Sequence, residues 1–170
     1  MKHVRENTKM GLLGENQFPQ MASTHLSAKR HYALQQCFGA IVQNKPSVIY
    51  ICPTKGVNIN ILPLLIMNKY KFVLVIPSKK FFTLLNKDEK SILDAASSVA
   101  DKIIILDTKT ANPLDWNSHW VEGTRRVIES SDWVMIAHNQ YEDNEAFADL
   151  CVNFEGDPTP ILEVGIGQEA

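Results

Sequence analysis

"YICPTKGVNINILPLL", residues 50–65, passes from a β-branched and aromatic run through a single glycine into an apolar segment with helical spacing. A strand that turns directly into a helix is the opening of a βαβ unit, in which the helix crosses back over the sheet and delivers the chain to a parallel neighbour. "KFVLVIP" (71–77) supplies that neighbour. The alternation of strand and helix then repeats in both directions along the chain, and the fold follows from the repetition.

Upstream, "SVIYIC" (47–52) is a continuous apolar run of the kind a strand buried on both faces requires. The segment 24–43 places Leu26, Tyr32 or Ala33, Cys37, Ala40 and Ile41 at helical spacing, and "NKP" (44–46) stops it. "KMGLLGE" (9–15) is the expected first strand. Downstream, Asn60 at the N-cap would put Pro63 in the first turn, where its missing amide has no partner to lose. Asn86 and Glu89 have capping-box spacing ahead of Ile92, Leu93, Ala96 and Val99, which line one helical face. "DKIIILD" (101–107) is the fourth strand, its centre expected to be fully buried. A helix over 118–130 follows, with Trp120 or Val121, Thr124, Val127 and Ile128 inward, although Gly123 weakens it. "DWVMIAH" (132–138) is the fifth strand, 142–154 a short helix, and "TPILEV" (159–164) a last edge strand. The expectation is one α/β domain over 1–170, with a polar arm (1–8) and a tail (165–170). Its core is a Rossmann-like, doubly wound, mostly parallel sheet of five to six strands, with helices on both faces.

Composition narrows the function classes. At 170 residues, 45% apolar, 21% charged and with a net charge of -2, the chain can bury a core. It lacks the excess of lysine and arginine that non-specific nucleic-acid binding draws on. The most apolar stretch is broken by Asn68, Lys69 and Lys71 before it reaches the roughly 20 residues of a membrane span, so no membrane partner is expected. Cys37, Cys52 and Cys151 form no C-x-x-C pair and read as free thiols of a cytoplasmic protein. The five histidines show no metal-ligand spacing with the acids, no G-x-S-x-G elbow is present, and neither a metal nor a cofactor is expected. Among the histidines, only His138 is expected near a cleft.

In a doubly wound sheet, ligands lie outside the carboxyl ends of the strands, where helix N-termini with free amides favour an anion. This rule gathers Gly14, Glu15 and Asn16 after the first strand, Thr54, Lys55, Gly56 and Asn58 after the second, and Asn139 after the fifth. Lys55 with Arg125 or Arg126 would neutralise phosphate. Neither standard nucleotide fingerprint is present around Gly56.

The order of "TKGVNINILPLLIMNKYKFVLVIP", "FFTLLNKDEKSILDAASSVADKIIIL" and "TRRVIESSDWVMIA" resembles the YpsA-like branch of the SLOG superfamily. Those Rossmann-like proteins are related to the DprA recombination mediators and to lysine-decarboxylase-like phosphoribohydrolases. Gly56, Val57 and Asn58 match the G-x-D end of that branch's leading turn, with asparagine in place of the acid. Glu129, Ser131, Asp132, Ile136 and Ala137 match its second motif. "AHNQYEDNEAF" lacks the glycine-rich turn that follows there. The resemblance implies a nucleotide or nucleotide-derived small ligand at the carboxyl rim. Two alternatives stand beside it. One is cleavage or transfer at an N-glycosidic bond, with Glu15 and Asp115 the candidate catalytic acids at the rim. The other is a scaffold that has lost its pocket, with an apolar patch at Trp116, Trp120 or Phe147 and possible homo-oligomerisation.

Overall fold

The structure, a computed structural model, describes residues 7–14, 23–107, 116–138 and 161–165. The elements are β1 (Lys9–Gly14), α1 (Ser23–Asn44), β2 (Val48–Ile51), α2 (Val57–Met67), β3 (Phe72–Ile76), a 3₁₀ turn (Lys79–Leu84), α3 (Lys87–Val99), β4 (Lys102–Ile105), α4 (Trp116–Ser130), β5 (Trp133–His138) and β6 (Ile161–Gly165). The expected helix over 142–154 lies outside the described residues.

The six strands form one sheet in the order β4-β3-β2-β1-β5-β6, and every pairing is parallel. Right-handed crossovers place α1, α2 and α3 on one face, since the chain steps in one direction from β1 to β4, and α4 on the other, since it steps back. The two cores follow the pleat. Met10, Leu12, Phe72, Leu74, Trp133 and Met135 pack with α1, α2 and α3, while Leu13, Val75, Val134 and Ile136 pack with Val127 and Ile128 of α4. This is the doubly wound α/β architecture expected from the alternation of elements.

Three local expectations change. β4 is an edge strand, not a buried one: Ile103 and Ile105 are 42% and 50% exposed. A β-branched run meets the needs of either position, so composition cannot separate them. Val99, expected on the inner face of α3, is also exposed, and Leu93 and Ala96 carry that face. The helix α2 begins at Val57, so Pro63 sits inside it. Asn60 does not cap; its Nδ2 donates back to the Gly56 carbonyl at 2.7 Å. The extra turn buries Val57, Asn58 and Ile59, and that burial offsets the hydrogen bond the proline cannot make. The capping box of α3 is present, with Asn86 and Glu89 exchanging hydrogen bonds of 2.8 Å each.

At the opposite end from the carboxyl rim, Asp132 joins β1 to β5: its Oδ2 accepts from the Lys9 amide at 2.9 Å, and its own amide donates to the Lys9 carbonyl at 2.8 Å. Among the described residues, no helix is long and apolar enough to cross a membrane.

Candidate functional site

The strand order reverses between β1 and β5, so the crevice of this sheet opens at their carboxyl ends. The segments leaving those ends, 15–22 and 139–160, lie outside the described residues, and with them Glu15, Asn16 and Asn139; Asp115 falls in 108–115, also outside. The described wall of the crevice is the turn from β2 into α2, together with Gly14 at the end of β1.

That turn is built by short backbone bonds. The Thr54 amide donates to the Cys52 carbonyl at 2.7 Å, and the Ile59 amide returns to the Thr54 carbonyl at 3.1 Å. Gly56 stands at the N-cap with φ 92° and ψ -133°. This region is open to glycine and strained for other residues. With no side chain capping α2, the amides of Val57 and Asn58, both in buried residues, have no acceptor among the described residues. They are the first two of the orphan donors of a helix start.

Asn58 has a different role from the one its position suggested. Its Oδ1 accepts from the Gly14 amide at 2.8 Å, and its Nδ2 donates to the Cys52 carbonyl at 2.9 Å and to Thr54 Oγ1 at 3.2 Å. Both side-chain hydrogens are spent, so the residue braces the end of β1 against the β2–α2 turn and has no side-chain donor left to offer. Gly14 makes the brace possible. A Cβ there would lie 2.5 Å from Val57 Cβ and 2.7 Å from Asn58 Oδ1. Thr54 is buried beneath the turn, and Lys55 stands exposed on it.

Gly14, Thr54, Lys55, Gly56 and Asn58 are thus brought together, and Arg125 and Arg126 are not among them. The two arginines are exposed on α4 and line a hollow of about 220 Å³ beside the edge strand with Leu106, Asp107, Glu122 and Glu129. There Arg125 pairs with Glu122 at 3.4 Å, both side chains nearly half exposed.

One polar pair at the rim carries no distinctive signal in the sequence. Ser78, just beyond β3, places its Oγ 2.9 Å from Nε2 of His119 in the first turns of α4. A hydroxyl at that distance from an imidazole can pass its proton to it. However, the serine is 8% and the histidine 2% exposed, so the pair is closed to solvent and joins the β3 loop to α4. Close approach of α4 is allowed by Gly123, where a Cβ would strike Cys52 Sγ and the Pro77 ring. The signal available in sequence was a serine directly after a strand-ending proline, which is too common to single out.

Burial pushes the Cys37 thiol up to about 12 and raises that of Cys52 further. Neither is a nucleophile at neutral pH, because the thiolate is the reactive form. Among the described residues, no group of three histidine, cysteine or acidic side chains could hold a metal ion.

No family model and no curated protein matches the chain.

Proposed function

We propose that the chain binds a nucleotide or nucleotide-derived small molecule at the carboxyl rim, with a phosphate seated over the start of α2. The observation that carries this reading is the pair of amides of Val57 and Asn58 behind Gly56, both in buried residues and without an acceptor among the described residues. They stand at the positive end of a helix, where an anion satisfies both the donors and the helix dipole. Gly14 and the Asn58 brace hold that helix start against β1 at the reversal of the sheet, and Lys55 adds a positive charge at the mouth. The resemblance to the YpsA-like branch of the SLOG superfamily points to the same ligand class. The buried free thiols of Cys37 and Cys52 agree with a cytoplasmic setting.

Calorimetry against inorganic phosphate, nucleoside mono- and diphosphates, cyclic dinucleotides and ADP-ribose tests the reading. At least one nucleotide is expected to bind, and Val57→Pro is expected to weaken it by about tenfold, because proline suits the first helical position but removes one of the two amides. Silence across the panel from folded protein, or full affinity in folded Val57→Pro, rejects the proposal.

A further inference from the structure

The strand β4 is one of the two edges of the sheet, and it carries two exposed isoleucines. Edge strands are ordinarily blunted by charge, proline or a bulge, because their unpaired backbone groups recruit other strands. The sequence of β4 is KIII, with one lysine at its first position. The register with β3 sets Ile103 and Ile105 beside Leu74 and Ile76 on the face of α1, α2 and α3, and Lys102 and Ile104 beside Val73 and Val75 on the face of α4. The two isoleucines that α3 leaves exposed are therefore symmetric about Ile104.

We propose that this edge pairs with a second copy of the same chain, antiparallel, about a two-fold axis passing through Ile104. A two-fold axis perpendicular to the sheet keeps each face on its own side, so only registers that pair residues of the same face are allowed. Centred on Ile104, Ile103 meets the partner's Ile105 and Ile105 the partner's Ile103, giving two cross-strand pairs of β-branched side chains that cover each other's exposed surface. The same register sets Lys102 opposite the partner's Leu106, on the α4 face.

Leu106 lines the hollow beside α4, which carries Asp107, Glu122 and Glu129 against Arg125 and Arg126, one negative charge in excess. Arg125 is already committed to Glu122. A lysine entering from the partner fits this hollow in shape and in sign: its methylene stem lies along Leu106 and its ammonium reaches the carboxylates. One register thus accounts for the exposed isoleucines, the solitary lysine and the acid-rich hollow, and this complementarity selects a second copy as the occupant. The inference does not depend on the ligand proposed at the rim, which is assigned to the other side of β3.

Sedimentation equilibrium or light scattering of the full chain is expected to show a dimer. Ile103→Lys and Ile105→Lys together are expected to give a monomer with unchanged circular dichroism, since both positions are exposed in the isolated chain. Lys102→Glu is expected to weaken the dimer by about tenfold or more, and adding Glu122→Lys to restore part of the loss. Ile104→Cys is expected to cross-link to its own copy under mild oxidation, because the axis places that residue opposite itself. A monomer at all accessible concentrations, or a dimer indifferent to the double lysine variant, overturns the proposal.

Discussion

At the scale of single residues, Asn58 shows how a polar side chain at the head of a helix on the carboxyl rim can be fully engaged in holding the fold. Its amide donates to the Cys52 carbonyl and to Thr54 Oγ1, and accepts from the Gly14 amide. An aspartate could keep only the last of these, and would set a buried charge against the lone pairs of a carbonyl. Asn58→Asp is therefore expected to destabilise the protein by about 3 kcal/mol at neutral pH, and by less as acid protonates the carboxyl; chemical denaturation at pH 7 and pH 4 checks both statements. The asparagine fits the hydrogen-bond partners the turn provides. None of that was legible from the residue alone, because the Gly14 amide is 44 positions away in the chain. Gly56 was legible, since a lone glycine between a strand and a helix has few other uses. The buried contact of Ser78 with His119 was not, because two common residues 41 positions apart carry no spacing signal.

At the scale of elements, local chemistry predicted starts and stops well where capping residues govern them. The Asn86 and Glu89 exchange at the head of α3 is such a case, and Asn86→Ala is expected to cost about 1 kcal/mol, read as a lowered denaturation midpoint with unchanged slope. The start of α2 differs from what proline chemistry alone dictates, because the burial of Val57, Asn58 and Ile59 in its first turn outweighs the proline's cost. Pro63 is exposed inside this helix and leaves the Ile59 carbonyl without its usual donor. Pro63→Ala is accordingly expected to stabilise the protein by about 1 kcal/mol or more, a gain visible as a higher melting temperature. β4 differs for a related reason. Its isoleucines specify a strand, but whether a further strand lies beside them depends on sheet order, which only the whole chain decides.

At the scale of the whole molecule, the alternation of strands and helices made the doubly wound sheet legible, since a helix between successive strands carries the chain back to pair in parallel. The carboxyl rim followed from that architecture. The order of strands did not, and neither did the separation of Arg125 and Arg126 from Gly56, which follows from their standing on the exposed side of α4, across the sheet from α2. The buried thiols also act on the molecule as a whole. Cys37 keeps its proton in the folded state up to about pH 12, whereas in the unfolded chain it loses it near the ordinary thiol value of 9.0. Between those values the folded state binds more protons, so stability is full below the lower value and is lost as pH rises toward the upper one. Alkaline unfolding is expected to begin above about pH 9, and Cys37 and Cys52 to resist a thiol reagent in the native protein while reacting after denaturation. Finally, β1 is flanked by β2 on one side and β5 on the other. A chain emerging from the ribosome can complete the first pairing early, but Met10 has to wait for Trp133, and for most of synthesis one flank of the central strand is left uncovered. A nascent chain halted before residue 133 would therefore present an open hydrophobic template, and this interval is the period in which chaperone capture would matter most.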